Sequence, residues 1–316
     1  MHEFTLEKNC LVIDIGSNDG TLLRNFVQKG FSVLGIEPAS NIAQLANSNG
    51  VRTMNAFFGK QAALQAVNQF GKARAITATN VFAHVDNIQD FVEGIDCLLG
   101  ERGVFVIEVP YLLNLVEGLE FDTIYHEHLS YFSLHPLREL FKKFNMHIVK
   151  AKVVGIHGGS LRIFVQKEKP ASSAELDVLM RKEEVFGVKD VSAYFDFAKR
   201  VVHLREKLLH ILREVKSANK KISGYGATAK STTLLHYCNI GNDFIDYVLD
   251  ATPLKQGKYT PGTHIPIVSG EVFKNNPPDY ALLLAWNYYL HILEKEKAYR
   301  SKGGKFILPI PEPKII

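Results

Sequence analysis

Cysteine is scarce: Cys10, Cys97 and Cys238 are the only three, far apart and odd in number. This excludes a disulfide framework and a structural zinc site built of cysteine alone. No apolar run approaches the roughly 20 residues of a membrane-spanning helix, which excludes an integral helical membrane protein. The opening MHEFTLEKNC lacks a basic stretch followed by a long apolar run. No secretory leader is expected, and the expected compartment is the cytoplasm. Charge of one sign is also lacking: 37 Lys and Arg against 33 Asp and Glu leave a formal net charge of +4. That is too mild to point to nucleic acid. Low-complexity tracts and short-period repeats are missing. What is there is 316 residues, 46% hydrophobic and 22% charged, the make-up of a globular protein of about two domains.

Strand-like and helix-like stretches alternate, the pattern of an α/β protein with a mostly parallel sheet. Strands are expected at Leu11–Ile15, Ser32–Ile36, Ala75–Ala78 and Val104–Val109, with an antiparallel edge strand over Leu161–Gln166. Leu22, Leu23 and Phe26, and again Phe91, Ile95 and Leu98, form apolar helical stripes. From Ser173 to Lys221 the spacing of Tyr194, Ala198, Val201, Leu208 and Leu212 predicts a long connecting helix. Its positive charges read as a solvated face. A second alternating block has strands at Lys221–Gly224, Phe244–Leu249, Ile265–Val268, Tyr280–Ala285 and Lys305–Leu308, with a loop over Thr252–Pro266. The expected domains are therefore residues 1–170, a helical connection over 171–220, and residues 221–316.

Asp14-Ile15-Gly16-Ser17-Asn18-Asp19-Gly20 joins the first strand to the first helix. The dinucleotide fingerprint G-x-G-x-x-G needs a second glycine so that a pyrophosphate can approach. Asn18 stands there instead, and Gly20 falls one residue early. Glu37 closes the second strand, where a carboxylate can accept hydrogen bonds from both ribose hydroxyls. Loop and acid together suit a nucleoside without a pyrophosphate. This combination resembles the motif of class I S-adenosylmethionine-dependent methyltransferases, in which Asn80 would line the cofactor. The plain alternative is a βα turn capped by Asp19.

Tyr125-His126-Glu127-His128, with Tyr131 close behind, is the most unusual segment. H-x-H can offer two imidazoles to a metal, but the zinc-peptidase pattern H-E-x-x-H is missing, and no metal is expected. The group suits proton abstraction beside a carbonyl: a histidine as base, a phenol or second imidazole on the enolate oxygen, a carboxylate to orient the base. His84 follows the strand at Ala75–Ala78 and belongs to the same crevice. The alternative is a hydrogen-bonded polar turn.

Gly224-Tyr225-Gly226-Ala227-Thr228-Ala229-Lys230-Ser231 nearly matches the P-loop, but Ala229 replaces a required glycine, so ATP hydrolysis is not expected. A helix start bearing Gly226, Thr228, Lys230 and Ser231 can still hold a diphosphate. A simple βα turn with a solvated lysine is the alternative.

Seven segments in order, Val12–Gly20, Gly35–Ser40, Tyr125–Ser133, His157–Arg162, Gly224–Ser231, Thr260–Pro266 and Ala285–Asn287, resemble the sugar C-methyltransferases that act on nucleotide-linked 4-keto-deoxysugars. The resemblance implies a Rossmann-like class I methyltransferase domain, a second C-terminal α/β domain, S-adenosylmethionine, and a nucleotide sugar as substrate. It implies catalytic roles for Tyr125, Glu127, His84 and His128, with His128 as base. It places Asp14, Gly16, Asn18, Asp19, Gly20, Glu37 and Asn80 at the cofactor, and His157, Gly158 and Arg162 at the substrate. Family members usually begin with a cysteine-rich zinc-binding module; the sequence opens ten residues ahead of Leu11, so a chain without that module is expected. Two other readings are an NAD-dependent sugar-nucleotide dehydrogenase or epimerase, against which Asn18 speaks, and a non-catalytic sugar-nucleotide-binding relative.

Overall fold

The computed structural model describes residue 4 and residues 6–155, 159–168 and 173–316. They divide into two compact units, Met1–Leu113 with Glu127–Lys189, and Asn114–His126 with Asp190–Ile316. The division therefore falls elsewhere than at residues 170 and 220. The helix Ala174–Phe186 belongs to the first unit, and the long helix Val191–Ser217, expected as a connection, belongs to the second.

In the first unit β1 (Leu11–Ile15), β2 (Ser32–Ile36), β3 (Thr53–Met54), β4 (Ala73–Thr79), β5 (Leu99–Pro110), β6 (His147–Val154) and β7 (Ser160–Gln166) form one sheet. Its order is β3-β2-β1-β4-β5-β7-β6. The strands β1 to β5 are parallel, and β7 runs antiparallel between β5 and β6. The expected edge strand is thus antiparallel but internal; β6, whose signal was missed, is the edge. Successive residues of β1 face opposite sides: Val12 packs with Leu23, Val104 and Phe164, while Ile13 and Ile15 pack with Ile76, Phe91 and Phe105. Burial on both faces is why β1 is apolar at Leu11, Val12, Ile13 and Ile15, with Asp14 its one polar residue, rather than apolar at every second position.

In the second unit β8 (Ile222–Tyr225), β9 (Val248–Leu249), β10 (Ile267–Val268), β11 (Tyr280–Leu283), β12 (Lys305–Leu308) and β13 (Lys314–Ile315) take the order β10-β9-β8-β11-β12-β13. All pairs are parallel except β12 with β13. This repeats the β3-β2-β1-β4-β5-β7 path of the first unit, so β8 corresponds to β1 and β9 to β2. The expected strand over Phe244–Leu249 shrinks to two residues because Phe244 and Ile245 turn back on the Gly241 carbonyl. Asp190 caps the long helix, its carboxylate accepting from the Ser192 amide at 2.9 Å. Leu204, Leu208 and Leu212 bury its apolar stripe against Ile222 and Leu235.

Candidate active site

In each unit the strand order reverses beside the first strand, at β1/β4 and β8/β11, where a crevice opens at the carboxyl ends of the strands. In the first unit that crevice is a cavity of about 470 Å³, the size of small-molecule sites. Gly16, Glu37, Asn80 and His84 line it, joined by Phe57 and Asp90.

Gly16 has φ 65°, and a Cβ there would come within 2.4 Å of Val81 Cγ2, so only glycine keeps this wall open. Glu37 is buried at the end of β2. One of its carboxylate oxygens accepts from the Asn18 amide at 3.0 Å and the other from the Ala39 amide at 3.0 Å. A carboxylate has about four acceptor positions, so two remain for a ligand. An acceptor pair beside a glycine-walled cavity fits the nucleoside end of S-adenosylmethionine.

The other expected cofactor residues do not line this cavity. Asn18 contributes its amide to Glu37 and is itself left-handed at φ 51°. Gly20 starts the first helix at φ 80°, with Val51 at 2.8 Å from where its Cβ would be. Asp19 is spent on that helix: its carboxylate accepts from the Thr21 hydroxyl at 2.6 Å and pairs with Arg24 at 3.0 Å. The Thr21 hydroxyl above all holds its pKa down. Asp14 lies buried below the loop and accepts from the Thr77 hydroxyl at 2.5 Å. Burial pushes its carboxyl up to about 7, with a further push from Glu37, against the Thr77 bond.

His84 donates from Nδ1 to the Glu127 carbonyl at 2.7 Å. A carbonyl can only accept, so this bond leaves Nε2 of the neutral ring as a lone pair. The His128 ring stands 5.0 Å away, centroid to centroid, and Tyr131 lies 6.2 Å beyond His128. The Leu129 amide donates to the Ala83 carbonyl at 2.9 Å, holding the two imidazoles side by side. Glu127 thus orients an imidazole through its backbone oxygen. Tyr125 belongs to the other unit, which ends its first segment at His126. Arg162 on β7 is engaged by its strand neighbour Glu108, whose buried carboxylate accepts from Arg162 Nε at 2.7 Å. His157 and Gly158 lie outside the described residues.

The second unit has a cavity of 360 Å³ at the equivalent crevice, lined by Tyr225, Gly226, Thr228, Asp250, Tyr288 and Lys295 among others. Asp250 repeats the geometry of Glu37: it follows β9, and its two oxygens accept from the Ala227 amide of the glycine loop and the Thr252 amide, each at 2.8 Å. Burial would raise its pKa, but the Thr252 and Ala227 bonds and the Lys255 ammonium hold it low. Gly226, at φ 96°, would place a Cβ 2.8 Å from Ala285. Thr228 caps the helix Ala229–Cys238 by accepting from the Ser231 amide at 3.2 Å.

Lys230 and Ser231 do not line this cavity. The Ser231 hydroxyl is buried and donates to the Thr228 carbonyl at 2.5 Å. Lys230 turns its ammonium inward, 5.0 Å over the Trp286 ring, with no hydrogen-bond acceptor among the described residues. The carboxylates of Glu120 and Asp122 act on it electrostatically, and Asp122 accepts from Trp286 Nε1 at 2.6 Å. Burial pushes Glu120 up to about 7 and raises Asp122, while Lys230 opposes both shifts.

Sequence reasoning missed Phe57, Asp90 and Asp250. Asp250 carried the signal that located Glu37, an acid closing a strand, but β9 is too short to advertise itself. Asp90 was concealed because Asn87-x-x-Asp90 reads as an ordinary helix start, and the Asn87 side chain does accept from the Asp90 amide. Among the described residues no three His, Cys, Asp or Glu side chains gather as a metal site, and no helix is long and apolar enough to cross a membrane.

Residues 3–151 match a methyltransferase domain family, and residues 155–311 match the C-methyltransferase C-terminal domain family. The C-methyltransferase NovU of Streptomyces niveus is 39% identical over 312 residues, which are 97% of this chain and 73% of that protein. Two solved structures are more distant. Magnesium protoporphyrin IX methyltransferase of Synechocystis PCC 6803 with bound SAM is 12% identical, with 51% of this chain and 71% of that one covered and a TM-score of 0.38. A TehB-like SAM-dependent methyltransferase of Corynebacterium glutamicum is 14% identical, with 52% and 83% covered and a TM-score of 0.38. With a relative at 39% identity along almost the whole chain, and the two family matches following one another along it, the protein belongs to the C-methyltransferase family and is an S-adenosylmethionine-dependent enzyme of Rossmann-like α/β fold.

Proposed function

We propose that this protein methylates the carbon beside the ketone of a nucleotide-linked keto-deoxysugar in the cytoplasm. The observation that carries this reading is the imidazole pair: His84 lines the same cavity as Gly16 and Glu37, with His128 5.0 Å from it. S-adenosylmethionine supplies an electrophilic methyl group on a positively charged sulfur. Glu37 and Gly16 hold its nucleoside and methionine portions, and Asn80 lines the same wall. The protein's own task is to make a carbon nucleophile.

His128 takes the proton from the carbon beside the ketone, and the electron pair moves onto the ketone oxygen. An imidazole holds the oxygen, and His84 is the one that stands beside His128. For His84 this role requires a proton on Nε2, because Nδ1–H is already given to the Glu127 carbonyl. A neutral His84 is instead an acceptor, and that bond favours a second reading in which His84 is the base. Orientation of the carbanion and stabilisation of the enolate supply most of the rate gain. Asp250, Gly226 and Thr228 take the nucleotide portion, by analogy of Asp250 with Glu37. Lys230 and Ser231 then act beneath that loop rather than on the diphosphate.

The test is solvent-deuterium exchange at the carbon beside the ketone, followed by proton NMR with S-adenosylhomocysteine present. His128→Asn should slow exchange by about 100-fold or more while both ligands still bind. Wild-type exchange in that variant, with loss in His84→Asn, would move the base to His84. Wild-type exchange in both would end the reading.

A further inference from the structure

Glu183 sits on the helix Ala174–Phe186, far in sequence from every motif, and its side chain is fully buried. No lysine or arginine pairs with it among the described residues. Instead it accepts four hydrogen bonds: at Oε1 from the Tyr111 hydroxyl at 2.9 Å and the Leu134 amide at 2.6 Å, at Oε2 from the His135 amide at 3.1 Å and His135 Nδ1 at 2.7 Å. All of its about four acceptor positions are used.

These partners flank the histidine segment. Leu134 and His135 open the helix Leu134–Lys142, whose own N-cap, Ser133, makes no side-chain cap bond. Glu183 caps that helix from another element, and the positive helix start favours its charge. Tyr111 follows β5 and bridges to Phe132, and the Leu112 amide donates to the Phe132 carbonyl at 2.9 Å. The other end of the segment is tied to the Ala83–His84 turn through the Glu127 carbonyl and the Leu129 amide. Phe82 stacks on Phe132 at 4.9 Å between the two ties. Residues 127–132 are thus a strap held at both ends.

We propose that Glu183 is a positioning residue for methyl transfer: as a buried carboxylate it anchors the strap and so fixes His128 against His84. This rests on the catalytic reading of those two histidines. Glu183 touches neither of them, so a merely structural acid would not alter the His84 bond.

The experiment uses the full chain labelled uniformly with ¹⁵N. The His84 Nδ1–H resonance, protected by its bond to the Glu127 carbonyl, should be sharp in the wild type. Glu183→Gln puts an amide donor against facing donors; the resonance should broaden or vanish, and the Leu129 and Ser130 amides should exchange at least tenfold faster. Deuterium exchange into the keto-sugar should fall about 10- to 100-fold, the scale of a misplaced catalytic group, with S-adenosylhomocysteine affinity unchanged. If Glu183→Gln does not fold, Tyr111→Phe removes one of the four bonds and should shift all readouts the same way, less strongly. An unchanged His84 resonance in a folded variant overturns the anchor. A loosened strap with wild-type turnover also overturns the positioning role; if His128→Asn is then equally inert, the catalytic reading has failed as well.

Discussion

Replacing Glu37 tests the cofactor site most directly. Its carboxylate accepts from the Asn18 and Ala39 amides, each at 3.0 Å, which fixes its orientation and leaves two acceptor positions, which the proposed function gives to the ribose hydroxyls. Glu37→Ala removes those two ligand bonds and also releases the Asn18 amide, so the glycine loop loses its tie to β2. Hydrogen bonds to a charged group are worth about 1.5–3 kcal/mol, and we take that range for the net loss because water can replace part of it. The dissociation constant for S-adenosylhomocysteine should then rise about 10- to 150-fold. Glu37→Gln keeps the size and one acceptor but turns an N–H toward a facing donor, so it should fall between wild type and alanine. Titration calorimetry reads the affinity, and thermal unfolding shows whether the variant is folded. An affinity equal to wild type in folded Glu37→Ala would remove Glu37 from the site.

Asp250→Asn should weaken the nucleotide ligand and leave S-adenosylhomocysteine affinity alone; calorimetry with both ligands that shows equal weakening would refute the separate roles of Glu37 and Asp250. Asp14 has a raised pKa of about 7 against a usual 3.8, so the folded state holds more protons than the unfolded state between those values. Stability should therefore fall as pH rises from about 4 to about 7, and Asp14→Asn should flatten that fall in thermal melts recorded across the range. Lys230→Met should lower stability by about 1–3 kcal/mol, because Glu120 and Asp122 lose their buried counter-charge. The loss should be larger at pH 8 than at pH 5.5, and an unchanged melting temperature would show that Lys230 is not coupled to those acids.

The sequence by itself determined the alternation of strands and helices, the strands β1, β2 and β12 to the residue, and the two glycine loops with Glu37. These are local signals: a buried parallel strand is a run of apolar residues, and a βα turn at left-handed φ selects glycine. The segment Tyr125–Tyr131 also stood out in the sequence, because two histidines, two tyrosines and a glutamate within seven residues are an unusual cluster. Tertiary structure decided which of these groups share a cavity. Gly16, Glu37, Asn80 and His84 meet at the sheet's crevice, while Asp14, Asp19, Lys230 and Ser231 turn into hydrogen bonds or burial that the motif alone does not encode. Glu183 and Asp250 were invisible for a related reason. A lone acid on a helix, or after a two-residue strand, has the same local pattern as a solvated one. Only long-range packing, 49 residues from Glu183 to Leu134 and 23 from Asp250 to Ala227, brings to each the amides that give it a role.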